Sequence, residues 1–181
     1  MDLDGDGRDA LAIGAPVGAG QVYVLTDVAA GRTGYTFGDS AFGFLITGDR
    51  ASGRTGFSVD SGGDFNGDGR EDLLIGGSFN GFWSPSYPTP PLHVDVLYGQ
   101  PGLSGTYTNG DFGSGGYRFD HSVSTYPGAE VAGLGDIDAD GHDDLFYTLG
   151  EFGRSGIVAF GPPVSGRSFS VSLHWAAIPH R

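Results

Sequence analysis

Three stretches of this 181-residue chain place oxygen-bearing side chains at alternate positions and then run directly into an apolar segment. They begin Asp2-Leu3-Asp4-Gly5-Asp6-Gly7-Arg8, Asp64-Phe65-Asn66-Gly67-Asp68-Gly69-Arg70 and Asp136-Ile137-Asp138-Ala139-Asp140-Gly141-His142. Acids or amides at positions 1, 3 and 5, with glycine at 6, suit a hard cation that takes about six to eight oxygens at 2.3–2.6 Å, calcium before magnesium. The position-6 glycine permits a bend that a β-carbon resists. Carboxylates so crowded repel one another, so the loop without a cation is expected to be strained or mobile.

The residues after the loop decide which kind of cation site this is. An EF-hand needs a bidentate Glu at position 12 and a helix on each side. Position 12 is Ile13, Ile75 and Tyr147, which excludes that reading in all three copies, whereas Asp72 and Asp144 stand at position 9 of the second and third loops. The following runs, Leu11–Pro16, Leu73–Gly77 and Leu145–Tyr147, are short and apolar, which predicts buried strands. Each loop therefore joins two strands.

Further candidate strands recur around the loops. Gly56–Gly63 and Ala129–Gly135 precede the second and third loops; Gln21–Leu25, His93–Gly99 and Gly156–Gly161 follow the loop strands; Phe42–Gly48 and Gly116–Phe119 form a fourth type. The loops start 62 and 72 residues apart, so one unit is about four strands. Four-stranded units repeated along a chain predict an all-β fold of β-propeller blades, each of four antiparallel strands, about three blades of a larger propeller. The predicted divisions are an incomplete blade over 1–50, a blade over 51–121 and a blade with a divergent end over 122–181. The chain opens inside a blade, and three blades cannot close a ring, so the expected partners include the remaining blades of a parent propeller or copies of this segment.

The run Gly56-Phe57-Ser58-Val59, then Gly63-Asp64-Phe65-Asn66-Gly67-Asp68-Gly69 and Asp72-Leu73-Leu74-Ile75-Gly76, resembles the FG-GAP repeat of the integrin α-subunit propeller and its bacterial relatives. The resemblance covers nearly the whole chain, with residues 162–181 outside it. Carried over residue by residue, it makes Asp64, Asn66, Asp68 and Asp72 side-chain calcium ligands, with the carbonyl of Arg70 beside them. In the third loop the same roles fall to Asp136, Asp138, Asp140 and Asp144, with the carbonyl of His142. In the first loop Asp2, Asp4 and Asp6 fit, with Arg8 at the carbonyl position, but Ala10 stands where the family has Asp and Asp9 is one place early. Met1 likewise occupies the place of Gly63 and Gly135. The first site is expected to be weaker or empty, with Asp9 pointing outward.

Composition agrees with a metal-rich surface module. Net charge is −13, from 22 acids against 9 Lys and Arg, and more than half of the acids lie in the three loops. Such a surface repels phosphate backbones and shows no basic patch for nucleic acid. No apolar run is long enough to cross a bilayer as a helix. Cysteine is absent, which leaves redox compartment open.

The long connection Ser78–Leu92 is rich in aromatic residues and proline. Phe82, Trp83 and Tyr87 are candidate anchors for a protein or glycan partner; the alternative is that they pack over the blade edge. The five histidines (His93, His121, His142, His174 and His180) show no metal spacing, and no nucleophile elbow appears. Ser168–Trp175 alternates polar and apolar residues, as a last strand would. The function expected is a calcium-stabilised, non-enzymatic module for extracellular adhesion or ligand binding. The rivals are a propeller belonging to a secreted hydrolase such as a phospholipase, and a structural spacer in a surface protein.

Overall fold

A computed structural model describes residues 1–26, 34, 43–77, 92–121, 129–149 and 156–161. The aromatic connection carrying Phe82, Trp83 and Tyr87, the alternating segment Ser168–Trp175, and His174 and His180 lie outside these residues. The described chain is almost entirely β. In order the strands are β1 (Leu11–Ala15), β2 (Gln21–Leu25), β3 (Phe44–Thr47), β4 (Ser58–Gly63), β5 (Asp72–Gly76), β6 (Leu92–Leu97), β7 (Gly105–Thr108), β8 (Gly116–His121), β9 (Val131–Gly135), β10 (Asp144–Thr148) and β11 (Gly156–Ala159). A single 3₁₀ turn, Gly113–Gly115, leads into β8.

Three sheets result, in the orders β1-β2-β3-β7, β4-β5-β6-β8 and β11-β10-β9. The middle sheet is an antiparallel meander of the kind expected of one propeller blade. In the third, β10 lies between β9 and β11. In the first, β1 occupies the place that β5 and β10 hold, directly after an acidic loop, so this sheet begins at its second strand.

Side-chain alternation along the strands builds two cores. Leu74 and the even residues of β6 (Leu92, Val94, Val96) face the third sheet, where they meet Val131, Leu145, Tyr147 and Ile157. Leu73, Ile75 and Leu97 face the first sheet and meet Val22, Val24, Phe44 and Ile46. The period of two thus lets one sheet bury both faces, and every residue of β5 and β6 is buried. The second residue of the first two loops serves as a plug between sheets: Leu3 is buried in one core and Phe65 in the other. Ile137, the third counterpart, is 55% exposed.

Among the described strands, one pairing departs from the antiparallel pattern. β7, contributed by the connection between β6 and β8, adds to the first sheet beside β3, and the two run parallel from Phe44↔Gly105 to Thr47↔Thr108. Its sequence, Gly-Thr-Tyr-Thr, is short, polar and mostly exposed, so no hydrophobic period marks it. Tyr107 packs edge-on against Phe44, with ring centroids 5.6 Å apart.

The excursion is held by a buried polar network. Asn109 is fully buried; its Nδ2 donates to Asp95 Oδ2 (2.8 Å) and Thr55 Oγ1 (2.9 Å) and lies 3.1 Å from His93 Nε2. Asn109 Oδ1 accepts from the Asp49 backbone (2.7 Å). Arg118 bridges the sheets, donating to buried Asp95 through Nε (2.6 Å) and to Asp49 through Nη1 (2.6 Å). A buried carboxylate is tolerable here because Asn109 and Arg118 both donate to it. The His93 ring lies against Gly77, where a β-carbon would stand 2.2 Å from Cε1.

Burial holds His93 below the ordinary imidazole pKa of 6.5; Asp95 and Asp49 oppose this, and Arg118 and Arg50 reinforce it. Above that value neither folded nor unfolded His93 carries a proton. As pH falls through 6.5 the unfolded chain takes up a proton that folded His93 refuses, so this residue costs stability there. Urea melts across that range are expected to show a shallower acid loss for His93→Gln than for the unaltered chain. Parallel curves would mean that the ring is not held neutral.

Candidate metal centre

The three acidic loops fold alike, and the repetition is visible bond by bond. The position-1 carboxylate turns inward and accepts backbone N–H groups from positions 5 and 6. Asp2 takes those of Asp6 (3.1 Å) and Gly7 (2.9 Å), Asp64 those of Asp68 and Gly69 (2.8 Å each), and Asp136 those of Asp140 (3.1 Å) and Gly141 (3.0 Å). The position-3 oxygen accepts from position 5 as well, at 3.3 Å for Asp4, 2.9 Å for Asn66 and 3.2 Å for Asp138. The position-5 carboxylate accepts from position 7: Asp6 from Arg8 (2.8 Å), Asp68 from Arg70 (3.0 Å) and Asp140 from His142 (3.0 Å). These are Asx-type turns stacked end to end.

Strand geometry aims the loops. The register shifts between Ser61 and Gly63 in the second sheet and at Asp144/Leu145 in the third, so each hairpin enters its loop through a bulge. Gly63 and Gly135 there have φ of +59° and +69°. The equivalent residue of the first loop is Met1.

Asp2, Asp4 and Asp6 each bring an oxygen within 4.8 Å of the others, and Asp136, Asp138 and Asp144 do the same. In the second loop Asn66 Nδ2 donates to Asp68 Oδ2 (3.1 Å), which ties positions 3 and 5 together. The position-9 acids close two of the loops from below. Asp72 accepts from Asn66 (3.2 Å) and Gly99 (2.9 Å), and Asp144 from Ile137 (2.9 Å) and Gly161 (3.1 Å). Ala10 offers no such group to the first loop.

The electrostatics favour a cation. Burial pushes the Asp72 carboxyl up to about 7; the N–H groups of Gly99 and Asn66 work against this, and the charges of Asp68 and Asp64 add to it. Asp144 is raised for the same leading reason, burial. A fully buried acid beside two further acids is stable as an anion only with a positive partner. An all-oxygen donor set of this size fits calcium.

Two acids outside the expected ligand set belong to the geometry. Glu71 and Asp143 occupy position 8, and each reaches the loop of the preceding sheet: Glu71 Oε2 accepts the N–H of Asp2 and Asp143 Oδ2 that of Asp64, both at 2.8 Å. Asp9 holds the same position in the first loop. Its side chain is 87% exposed, with Oδ1 3.0 Å from the amino terminus. Counting from the first loop residue, Asp9 is thus the counterpart of Glu71 and Asp143 and not a displaced version of Asp72. The sequence contained the signal, an acid at position 8 in all three loops.

Position 4 separates the loops energetically. Gly5 and Gly67 adopt φ of +75° and +76°, but the third loop places Ala139 there at φ +62°. A left-handed alanine costs about 1–2 kcal/mol.

Residues 55–87 match the FG-GAP repeat family. Over 181 aligned residues, 95% of this chain, the sequence is 30% identical to integrin alpha-5 of Xenopus laevis. The chain spans 16% of that relative's length. Ala139→Gly is expected to raise stability by about 0.5–1 kcal/mol, the relief of the left-handed alanine less the extra freedom of glycine in the unfolded chain. Chemical denaturation of the two proteins in the same calcium concentration measures it, and a loss of stability would refute the strain. With both the repeat and the long alignment falling on the blade geometry, the chain carries an FG-GAP repeat and is similar along nearly its whole length to an integrin α-subunit.

Proposed function

We propose that this chain is a calcium-stabilised propeller module of an extracellular or cell-surface protein, in which the loops opposite the metal sites serve adhesion or ligand binding. The observation that carries this reading is the threefold repetition of the inward-turned acidic loop, each at the same junction of a blade. Glu71 and Asp143 hold neighbouring loops; Asp2, Asp4, Asp6, Asp64, Asn66, Asp68, Asp72, Asp136, Asp138, Asp140 and Asp144 are the proposed side-chain ligands, with the carbonyls of Arg8, Arg70 and His142 beside them. Calcium supplies the charge that lets these acids stand ionised together; the chain supplies the preformed turn.

Extracellular calcium modules bind with Kd of about 10⁻⁴–10⁻³ M. At about tenfold excess over Kd, each filled site adds about 1.4 kcal/mol to stability. A thermal melt in calcium is therefore expected to shift upward from one in chelator, and Asp68→Ala is expected to forfeit more of the shift than Asp6→Ala, because the first loop lacks a position-9 acid. Equal losses would count against a weaker first site, and identical melts with and without calcium would refute the metal reading.

The likeness to integrin alpha-5 supports the adhesion-type assignment. The second acidic loop joins β4 to β5, so in an antiparallel meander the connection from β5 to β6 emerges at the other end of the blade. That connection carries Phe82, Trp83 and Tyr87, proposed as the contact for a protein or glycan partner. Trp83→Ala and Tyr87→Ala are expected to weaken capture by such a partner while leaving the melting temperature nearly unchanged; a large fall in melting temperature would favour packing over the blade edge.

A further inference from the structure

The first and second acidic loops are each completed by residues of the loop that follows, one blade further along. The contact at position 8 recurs at both junctions with the same donor, the same acceptor class and the same 2.8 Å length, from Glu71 to Asp2 and from Asp143 to Asp64. Position 7 repeats the arrangement. The Arg70 side chain lies over Gly5, with Nε 3.2 Å from where a β-carbon would stand, and the His142 ring lies over Gly67, with Nδ1 2.3 Å from that point. His142 Nδ1 is buried there without a hydrogen-bond partner. Gly63 leaves room for Asp143, whose Oδ2 stands 2.0 Å from its missing β-carbon.

The position-9 ligands extend the same pattern. Asp72 holds the N–H of Gly99, and a β-carbon on Gly99 would meet the Leu3 carbonyl at 2.7 Å. Asp144 holds the N–H of Gly161, and a β-carbon there would meet the Phe65 carbonyl at 2.4 Å. The Asp143 N–H also donates to the Asp64 carbonyl at 3.1 Å. Residues 7 and 8 of one loop therefore grip residues 1 and 4 of the loop before it, and residue 9 holds a glycine packed against residue 2.

We propose that Glu71 and Asp143 are positioning residues for the calcium site of the preceding blade, and that neighbouring sites fill cooperatively through them. The proposal rests on the calcium reading above. Asp143 sits between His142, whose carbonyl is a proposed ligand of the third site, and Asp144, a ligand of the same site. A cation there fixes the backbone of 142–144 and so fixes the carboxylate that holds Asp64, the first ligand of the second site. Ordering paid at one site is then not paid again at the next, and by linkage the second site favours the third equally. Glu71 makes the same connection from the second site to the first.

Backbone amide resonances of Gly7, Gly69 and Gly141, followed during calcium titration of the full chain, report the three sites separately. Asp143→Ala is expected to weaken the response at Gly69 about ten- to hundredfold, the usual effect of losing a residue that orients a ligand, while the response at Gly141 loses only the shared coupling, less than about threefold. Asp143→Asn, which keeps an acceptor oxygen, is expected to restore most of the loss. Glu71→Ala is expected to act in the same way at Gly7. In calcium-free protein, amide exchange at Asp64 is expected to accelerate in Asp143→Ala. A loss confined to Gly141, equal losses at all three glycines, or unchanged exchange at Asp64 would overturn the proposal while leaving calcium binding intact. Failure of every glycine to respond in the unaltered chain would instead overturn the calcium reading, and the coupling with it.

Discussion

The backbone of a nine-residue turn must satisfy its own inward N–H groups, and in each loop the acceptors are the same oxygens proposed to face the cation. Asp64 alone receives two N–H groups, and Asn66 and Asp68 receive further ones. The hydrogen bonds compensate for bending the chain, and they also fix the direction of the remaining lone pairs. The consequence is a turn formed from its own side chains in which negative charge accumulates at one point. That charge is the unfavourable term the rest of the site has to answer, and burial of Asp72 makes it larger. A divalent cation would answer it with one ion of high charge density, whereas Arg70 approaches Asp68 only to 3.6 Å.

The loops are exposed at their tips but anchored beneath, and the anchoring is where metal chemistry meets packing. Leu3 and Phe65 follow the first proposed ligand directly and are buried between sheets. A ligand next to a core residue cannot drift without opening the core, so apolar burial holds the oxygens in register. Sheet-to-sheet approach is close because backbone meets backbone: a β-carbon at Gly14 would collide with the Gly56 carbonyl, and one at Gly76 with that of Ala129, each at 2.1 Å. The same position after the first two acidic loops thus lacks a side chain because the next sheet's carbonyl occupies its place; the third loop has Thr148 there.

Much of this was legible in the sequence because it obeys a local rule. Alternating oxygens with glycine at position 6 specify the turn, and the short apolar runs Leu73–Gly77 and Leu145–Tyr147 specify strands, found as β5 and β10. What escaped is non-local. β7 lacks an apolar period, since only Tyr107 of its four residues turns toward the core; its pairing depends on the buried Asn109 network, whose members come from residues 49, 55, 93, 95, 109 and 118. The roles of Glu71 and Asp143 escaped for a related reason. Their partners lie 69 and 79 residues away, so within a single loop they read as solvated charges.

Position also explains why two adjacent acids need not share a task. In a strand, neighbouring side chains point to opposite sides. Asp72 and Asp144 open β5 and β10 and turn into their own loops, whereas Glu71 and Asp143, one residue earlier, turn to the neighbouring blade. The alternation that divides apolar residues between two cores therefore divides the acids between two sites. A single-residue shift of either acid would reverse its side, which is why Asp9 cannot replace the missing position-9 carboxylate: the strand that follows it points Asp9 outward, where its side chain is found. Strand periodicity, and not the number of acids in a loop, sets how many of them a cation can meet.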